Sequence, residues 1–198
     1  LNGDVIDTRN VTWNIYANLS YNKNKVLKLD ESLGGEWIDG SYIYREGEAM
    51  RQFYIREYAG VNPENGASMW YMDQEVVDEA TGATVVEKVP TEDYTKATRY
   101  AQGDLLPKVY GGFGTSLNVH GFDLSVACSY QLGGKLYDNT YASLMHNGRS
   151  AGTNWHVDIL NSWTPDNTET DVPRLNPSDT YTTSVSDRFL ISSNYLSL

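Results

Sequence analysis

The sequence predicts an all-β, antiparallel fold: a segment of a transmembrane β-barrel wall, with about four long strands and two long extracellular loops that contain small β-hairpins. Three observations predict it. Eleven-residue runs alternate strictly between apolar and polar side chains, which in a strand gives one apolar and one polar face. Their length matches the roughly 9–11 residues a tilted strand needs to cross a bilayer, where an ordinary strand has about 5–6. The connections between the runs are by turns very short and very long, whereas a soluble sandwich would show turn signals every 8–12 residues or so.

At the start of the chain, Leu1, Gly3 and Val5 share one parity and read as the tail of a strand. Asp7-Thr8-Arg9-Asn10 then makes a short polar turn. In 11–21, Val11, Trp13, Ile15, Ala17, Leu19 and Tyr21 alternate with Thr12, Asn14, Tyr16, Asn18 and Ser20. Trp13 near one end and Tyr21 at the other suit the aromatic girdles of a barrel. In 109–119, Val109, Phe113, Leu117 and Val119 share a parity whose gaps Gly111 and Thr115 fill. In 122–132 the apolar set is Phe122, Leu124, Val126, Cys128, Tyr130 and Leu132. His120-Gly121 alone separates these two runs and reads as a tight hairpin. A fourth strand is expected over 188–198, where Phe189, Ile191 and Tyr195 alternate with Arg188, Ser192 and Asn194, although Leu190, Leu196 and Leu198 blur the pattern. The residues expected to face lipid are Trp13, Ile15, Leu19, Tyr21, Val109, Phe113, Leu117, Phe122, Leu124, Val126 and Tyr130.

Short turns on one side and long loops on the other are what outer-membrane barrels have, with periplasmic turns and extracellular loops. On that pattern 11–21 rises, 22–108 is an outer loop, 109–119 descends, His120-Gly121 turns, 122–132 rises, 133–187 is a second outer loop and 188–198 descends. Charge follows the same division. The formal net charge is −11, yet residues 22–107 hold 9 basic and 16 acidic side chains, 133–187 hold 3 and 7, and the remainder holds 3 of each. The strands are thus neutral, which suits hydrocarbon. The acidity argues against nucleic acid as a partner, because phosphate recognition needs basic patches.

One cysteine, Cys128, allows no internal disulfide and lies in an apolar set. No apolar stretch is long enough for a membrane helix. Leu1-Asn2-Gly3-Asp4 does not resemble a signal peptide, so a processed chain or a fragment is expected. Four or five strands cannot close a barrel, for which about eight is the minimum.

Several strings carry a family resemblance: Thr12-Trp13-Asn14 with Asn22-Lys23-Asn24-Lys25; Glu57-Tyr58-Ala59-Gly60-Val61-Asn62-Pro63-Glu64-Asn65-Gly66; Leu106-Pro107-Lys108-Val109-Tyr110-Gly111-Gly112-Phe113-Gly114; Tyr130-Gln131-Leu132-Gly133-Gly134 with Tyr137-Asp138-Asn139; Ser162-Trp163-Thr164-Pro165; and Asp171-Val172-Pro173-Arg174 before Ser186-Asp187-Arg188-Phe189-Leu190. In order and spacing they resemble the C-terminal part of the SusC/RagA family, TonB-dependent outer-membrane transporters of the Bacteroidetes. The resemblance implies a plugged barrel of about 22 strands, placed in the bacterial outer membrane. It also implies a SusD-like surface lipoprotein as lid, and import of oligosaccharides or peptides with energy delivered through TonB. The plug and the region that meets TonB would lie in the missing N-terminal part. No cofactor is implied.

The loops carry their own signals. Gln52–Tyr58 and Met69–Met72 flank the turn cues Asn62-Pro63 and Asn65-Gly66 and are expected to pair. Val76-Val77 and Thr84-Val85-Val86 flank Ala80-Thr81-Gly82-Ala83 as a second hairpin. A short helix is expected over 154–163, and 164–173 reads as irregular. Trp37, Tyr42, Tyr44, Trp70 and Tyr71 are candidates for contact with a sugar ligand or the lipoprotein, with packing of the loop as the blander role.

Other chemistry finds little support. Asp166, Glu169 and Asp171 lack the ligand order and glycine of a calcium loop. His120, His146 and His156 lack metal-ligand spacing. Gly111-Gly112-Phe113-Gly114 lacks the Lys-Ser/Thr of a phosphate loop, and no Gly-x-Ser-x-Gly elbow is present, so an enzyme is not expected. The alternative is a soluble secreted β-rich carbohydrate-binding module, which would bury Trp13, Ile15, Phe113 and Leu124 in its own core. A glycoside hydrolase fragment would instead need two carboxylates about 5–10 Å apart across a cleft.

Overall fold

The computed structural model describes residues 1–77 and 83–198. In chain order the strands are β1 (Asn2–Asp7), β2 (Val11–Tyr21), β3 (Glu36–Asp39), β4 (Tyr42–Arg45), β5 (Gln52–Arg56), β6 (Tyr58–Val61), β7 (Ser68–Val77), β8 (Thr84–Thr91), β9 (Arg99–Asp104), β10 (Val109–Val119), β11 (Phe122–Leu132), β12 (Lys135–Tyr137), β13 (Leu190–Ser192) and β14 (Tyr195–Ser197). Helix is scarce. One short α-helix, α1 (Asn139–Leu144), and three single turns of 3-10 helix at Glu31–Leu33, Val157–Asn161 and Asp187–Phe189 complete the described elements.

The three long strands are those the alternation predicts, with the same bounds. They form the middle of an antiparallel sheet in the order β1-β2-β10-β11-β14. β2 and β10 pair along their full length from Val11↔Val119 to Tyr21↔Val109, and β10 and β11 from Val119↔Phe122 to Val109↔Leu132. No register shift interrupts either ladder. The β10–β11 turn has His120 and Gly121 at φ of 49° and 85°, the two positive values a type I′ hairpin needs. Gly121 adopts this freely, and histidine is among the side chains that enter this region more often than most. The neighbouring turn lies beside it, because the His120 N–H donates to the Asn10 carbonyl at 2.9 Å. Both short turns therefore sit at one end of the sheet, and five strands do not close into a barrel.

The opposite end carries a lobe built from the described residues of 22–108 and 133–192. It holds a four-stranded sheet in the order β3-β4-β5-β9, a three-stranded sheet β6-β7-β8 and the pair β12-β13. The two long connections interlock. Trp163 lies so close to Gly66 that a Cβ there would stand 2.5 Å from the indole ring, and the Trp163 Nε1–H donates to the Pro63 carbonyl at 3.1 Å. The Arg174 N–H donates to the Gly66 carbonyl at 2.9 Å, and its Nη1 to the Asn65 carbonyl at 2.8 Å. Tyr94 stacks on Tyr181 with ring centroids 5.1 Å apart.

Core packing is confined to this lobe. Among the described residues, the buried apolar side chains are Ile43, Phe53, Ile55, Trp70 and Ala97, together with Ala142, Met145, Ile159, Val172 and Phe189. The last five form one cluster around α1. None of the ten belongs to the five-stranded sheet.

Several expectations are corrected. Residues 188–198 do not form one strand: Arg188 and Phe189 lie in a 3-10 turn, β13 pairs with β12, and only β14 joins the large sheet, on β11. The break falls at Ser193-Asn194, whose side chains are taken up elsewhere. The Asn194 Oδ1 accepts the Gly133 N–H at 2.6 Å, and the Ser193 hydroxyl donates to the Gly133 carbonyl at 3.0 Å; such bonds compete with a ladder. Val5 falls at a register shift between Asp4 and Ile6, so Ile6 rather than Val5 stands opposite Trp13. The run 52–58 is divided, with β5 pairing to β4 and β9 while only β6 reaches β7. The pairing of β7 with β8 brings Val76 opposite Val85; Ala80-Thr81-Gly82 lie outside the described residues. Only Val157–Asn161 of the expected helix is helical, and α1 was not anticipated.

Candidate functional site

The large sheet is itself the most distinctive functional surface, and its two faces follow from register. Residues directly opposite in an antiparallel ladder share a face. The rows Leu117–Trp13, Phe113–Ala17 and Val109–Tyr21 across β10 and β2 continue into Leu124, Cys128 and Leu132 of β11. One face thereby gathers Trp13, Ile15, Leu19, Tyr21, Val109, Phe113, Leu117, Phe122, Leu124, Val126 and Tyr130. It is bare of covering protein: Trp13 is 37% exposed, Ile15 41%, Phe113 44% and Leu124 47%. A soluble module would have these residues in its core, and here no described element packs over them.

Three polar groups on this face, those of Trp13, Thr115 and Tyr130, are bonded within the sheet. The Trp13 Nε1–H donates to Thr115 Oγ1 at 2.7 Å, and that hydroxyl donates to the Asn14 carbonyl at 3.0 Å. The Tyr130 hydroxyl donates to the Asn18 carbonyl at 3.2 Å. A surface that meets hydrocarbon has to satisfy its donors internally in this way. The sequence marks Thr115 only as a hydroxyl in an apolar register.

The other face is hydrogen-bonded and hydrophilic. Asn14 Nδ2 donates to Asn2 Oδ1 and Asp4 Oδ1, each at 2.9 Å, and Asn118 Nδ2 donates to Asp123 Oδ1 at 2.6 Å. The Tyr16 ring lies over Gly114, where a Cβ would come within 2.4 Å of its hydroxyl. Ser116, Ser125, Ser129 and Gln131 complete this side by register.

Of the aromatic candidates in the lobe, Trp70 is a core residue. It is 2% exposed, packed edge-on against Tyr58 and Tyr94 at 6.4 and 5.1 Å. Of the roles open to it in the sequence, this burial fits packing of the loop. Trp37 stays 44% exposed and stacks on Tyr44 at 4.9 Å. Tyr42 packs on Phe53 and lines a cleft with Asp39, Tyr137 and Asn139. Tyr71 lies under the Lys88 ammonium, 5.1 Å from its ring centroid, while Lys88 pairs with Glu57 at 2.7 Å.

A cluster that sequence reading missed surrounds Arg188. Its guanidinium lies 5.2 Å from the Tyr58 ring and 5.0 Å from the Phe189 ring, and Nη1 donates to the Thr182 carbonyl at 3.3 Å. Burial pushes the guanidinium below its usual range and pushes the Tyr58 phenol up, while Arg188 pulls that phenol back down. Asp187, raised by burial, accepts the Tyr58 N–H at 2.7 Å. This cluster fastens the end of the second long connection onto the first.

The histidines have structural roles: His120 in the turn, His146 buried and accepting the Trp155 indole N–H at 3.0 Å, and His156 capping Val157–Asn161. Among the described residues, no group of three or more His, Cys, Asp or Glu side chains is arranged to hold a metal ion, and no helix is long and apolar enough to cross a membrane.

No family model matches the chain. It is 31% identical over 186 residues to TonB-dependent receptor P3 of Formosa agariphila, a match covering 88% of this chain and 18% of that protein. Among solved structures it is similar to a chain of the RagAB peptide transporter, with a TM-score of 0.78, 26% identity, and coverage of 98% of this chain and 21% of that one. It is also similar to the RagAB peptide importer in its closed-closed state (TM-score 0.77, 27% identity, 98% and 21% covered) and in its open-open state (0.70, 25%, 98% and 20%). The chain thus spans about a fifth of the length of these relatives, which are named as a receptor and as importers rather than as enzymes.

Proposed function

The chain is of the SusC/RagA type of TonB-dependent receptor, and from that premise we propose that it forms a stretch of barrel wall, with its outer lobe, in an outer-membrane importer of peptides or oligosaccharides. The observation that carries this reading is the amphipathic sheet. Eleven residues at about 3.4 Å each extend ~37 Å, and a strand tilted by about 45° then spans ~26 Å, close to the ~25 Å apolar band of an outer-membrane barrel. The face with Phe113 and Leu124 meets lipid, and the face with Asn14, Asn118 and Asp123 lines the lumen.

The turns at Asn10 and His120 then lie on the periplasmic side and the lobe on the outside. The lobe offers exposed aromatics, Trp37 foremost, to a SusD-like lipoprotein or to ligand, as interfaces favour Trp and Tyr. Energy arrives through TonB by way of parts of the transporter outside this stretch. The test is labelling of the full-length protein on intact cells with a membrane-impermeant maleimide, after substitution of Cys128 by Ser. Trp37→Cys reacts and Phe122→Cys does not, while both react in detergent-solubilised protein. Labelling of Phe122→Cys on intact cells, or protection of Trp37→Cys in the absence of the lipoprotein, would refute the orientation.

A further inference from the structure

In the lobe, Arg56 of β5 and Arg99 of β9 stand directly opposite each other on neighbouring antiparallel strands. Like charges so placed repel. Among the described residues neither has a carboxylate within ion-pair distance, although the chain as a whole carries −11. Arg99 Nη1 donates to the Gly40 carbonyl at 3.1 Å. The Arg56 side chain makes no hydrogen bond to any described residue. Its Nε is buried without a partner, and its guanidinium carbon lies over the Tyr94 ring, 4.0 Å from the centroid. A buried N–H of a cation left unpaired is costly.

Both arginines line one cleft of about 260 Å³, with Ser41, Tyr54, Tyr94 and Val185. No acidic side chain lines it. It shares Gly40, Ser41 and Val185 with a neighbouring cleft of about 360 Å³ that also holds Asp39, Tyr42, Tyr137 and Asn139.

We infer that the Arg56–Arg99 pair is a binding site for a carboxylate of the imported ligand. A guanidinium fixed by stacking presents its edge for paired hydrogen bonds to a planar anion, and a carboxylate between the two cations removes their repulsion. The tyrosine-lined continuation accommodates the body of the ligand. This rests on the importer reading and narrows it to acidic cargo, whether a peptide with a free carboxyl terminus or a uronate oligosaccharide.

The test uses the full-length protein in detergent and two matched pairs of probes: a tripeptide and its carboxyl-terminal amide, and a galacturonate trisaccharide and its neutral galactose counterpart. By calorimetry the acid of at least one pair binds about ten-fold or more tightly than its neutral partner, with the preference weakened by salt. Arg56→Gln and Arg99→Gln each abolish the preference, the acid losing more affinity than its neutral partner. The pair that shows the preference identifies the source of the carboxylate. Equal binding in both pairs, or a preference that survives Arg99→Gln, overturns the site. Arg99 is exposed and holds one carbonyl, so that variant decides even if Arg56→Gln does not fold. Import that proceeds without charge preference overturns this site alone, whereas failure to reach the outer membrane overturns the importer reading.

Discussion

Replacing Val126 by arginine tests the assignment of faces most directly. Val126 is one residue from the middle of β11 and stands opposite Thr115 on the apolar face, while its neighbour Ser125 stands opposite Ser116 on the polar face. If the apolar face meets lipid, an arginine at 126 sits near the bilayer midplane, where it costs about 2–4 kcal/mol. That lowers the folding equilibrium constant roughly thirty-fold to several-hundred-fold. Ser125→Arg extends into the lumen and costs close to nothing. Phe122→Arg, at the turn end of the same face, costs ~0–1 kcal/mol, because the penalty fades toward the interface. The assay is denaturant unfolding of the full-length protein into lipid vesicles, comparing the three variants with the parent. Equal losses at 125 and 126, or a larger loss at 122 than at 126, would refute both the face and the depth assigned to it.

Thr115→Val removes the acceptor of the Trp13 indole and leaves a donor in hydrocarbon; a loss of about 1–3 kcal/mol is expected in the same assay, and no loss would show that the indole reaches water or a headgroup instead. Gly66→Ala forces a methyl into the Trp163 ring at a backbone φ of +74°. It should detach the two connections from each other, seen as new protease cleavage in 160–175 with the barrel strands still protected, and an unchanged digest would argue against the interlock. The Glu92 carboxyl accepts Asn62 Nδ2 at 2.6 Å and Asn65 Nδ2 at 2.9 Å, and these bonds, Asn65 first, hold it below the usual carboxylate range. With the folded value depressed, the stabilisation is complete above the unfolded value of ~4.3 and is lost as pH falls through the folded one. Glu92→Gln should therefore flatten the acid limb of lobe unfolding followed by Trp fluorescence, and an unaltered acid limb would contradict this role.

The three long strands were legible to the residue because one physical rule governs every position in them. Each side chain from Val11 to Tyr21 and from Phe122 to Leu132 falls on one of two faces by its parity, so the sorting is written directly in the sequence. The lobe obeys no such rule. Apart from β7 and β8 its strands have three to six residues, bury alternate side chains only in part, and choose partners far along the chain: β5 meets β9 across more than forty residues. Trp70 and Trp37 look alike in sequence, and only the pairing of β6 with β7 and the rings of Tyr58 and Tyr94 bury the first while leaving the second exposed. The end of the chain divides because Ser193 and Asn194 turn their side chains to Gly133, and the alternation over 188–198, blurred by Leu190, Leu196 and Leu198, does not mark that break. Arg56 and Arg99 become neighbours through a ladder that neither local stretch encodes.

The contact of Trp163 with Gly66 ties two stretches that are far apart in the chain. They belong to connections on either side of the β10–β11 hairpin, so the contact requires both connections to leave the sheet at the same end, which the unbroken antiparallel ladders of β2, β10 and β11 provide. A slip of one residue in either ladder would turn every side chain of the slipped strand to the other face and would displace one half of the clasp from the other. The clasp is thus a gauge of register, placed outside the sheet whose register it reads.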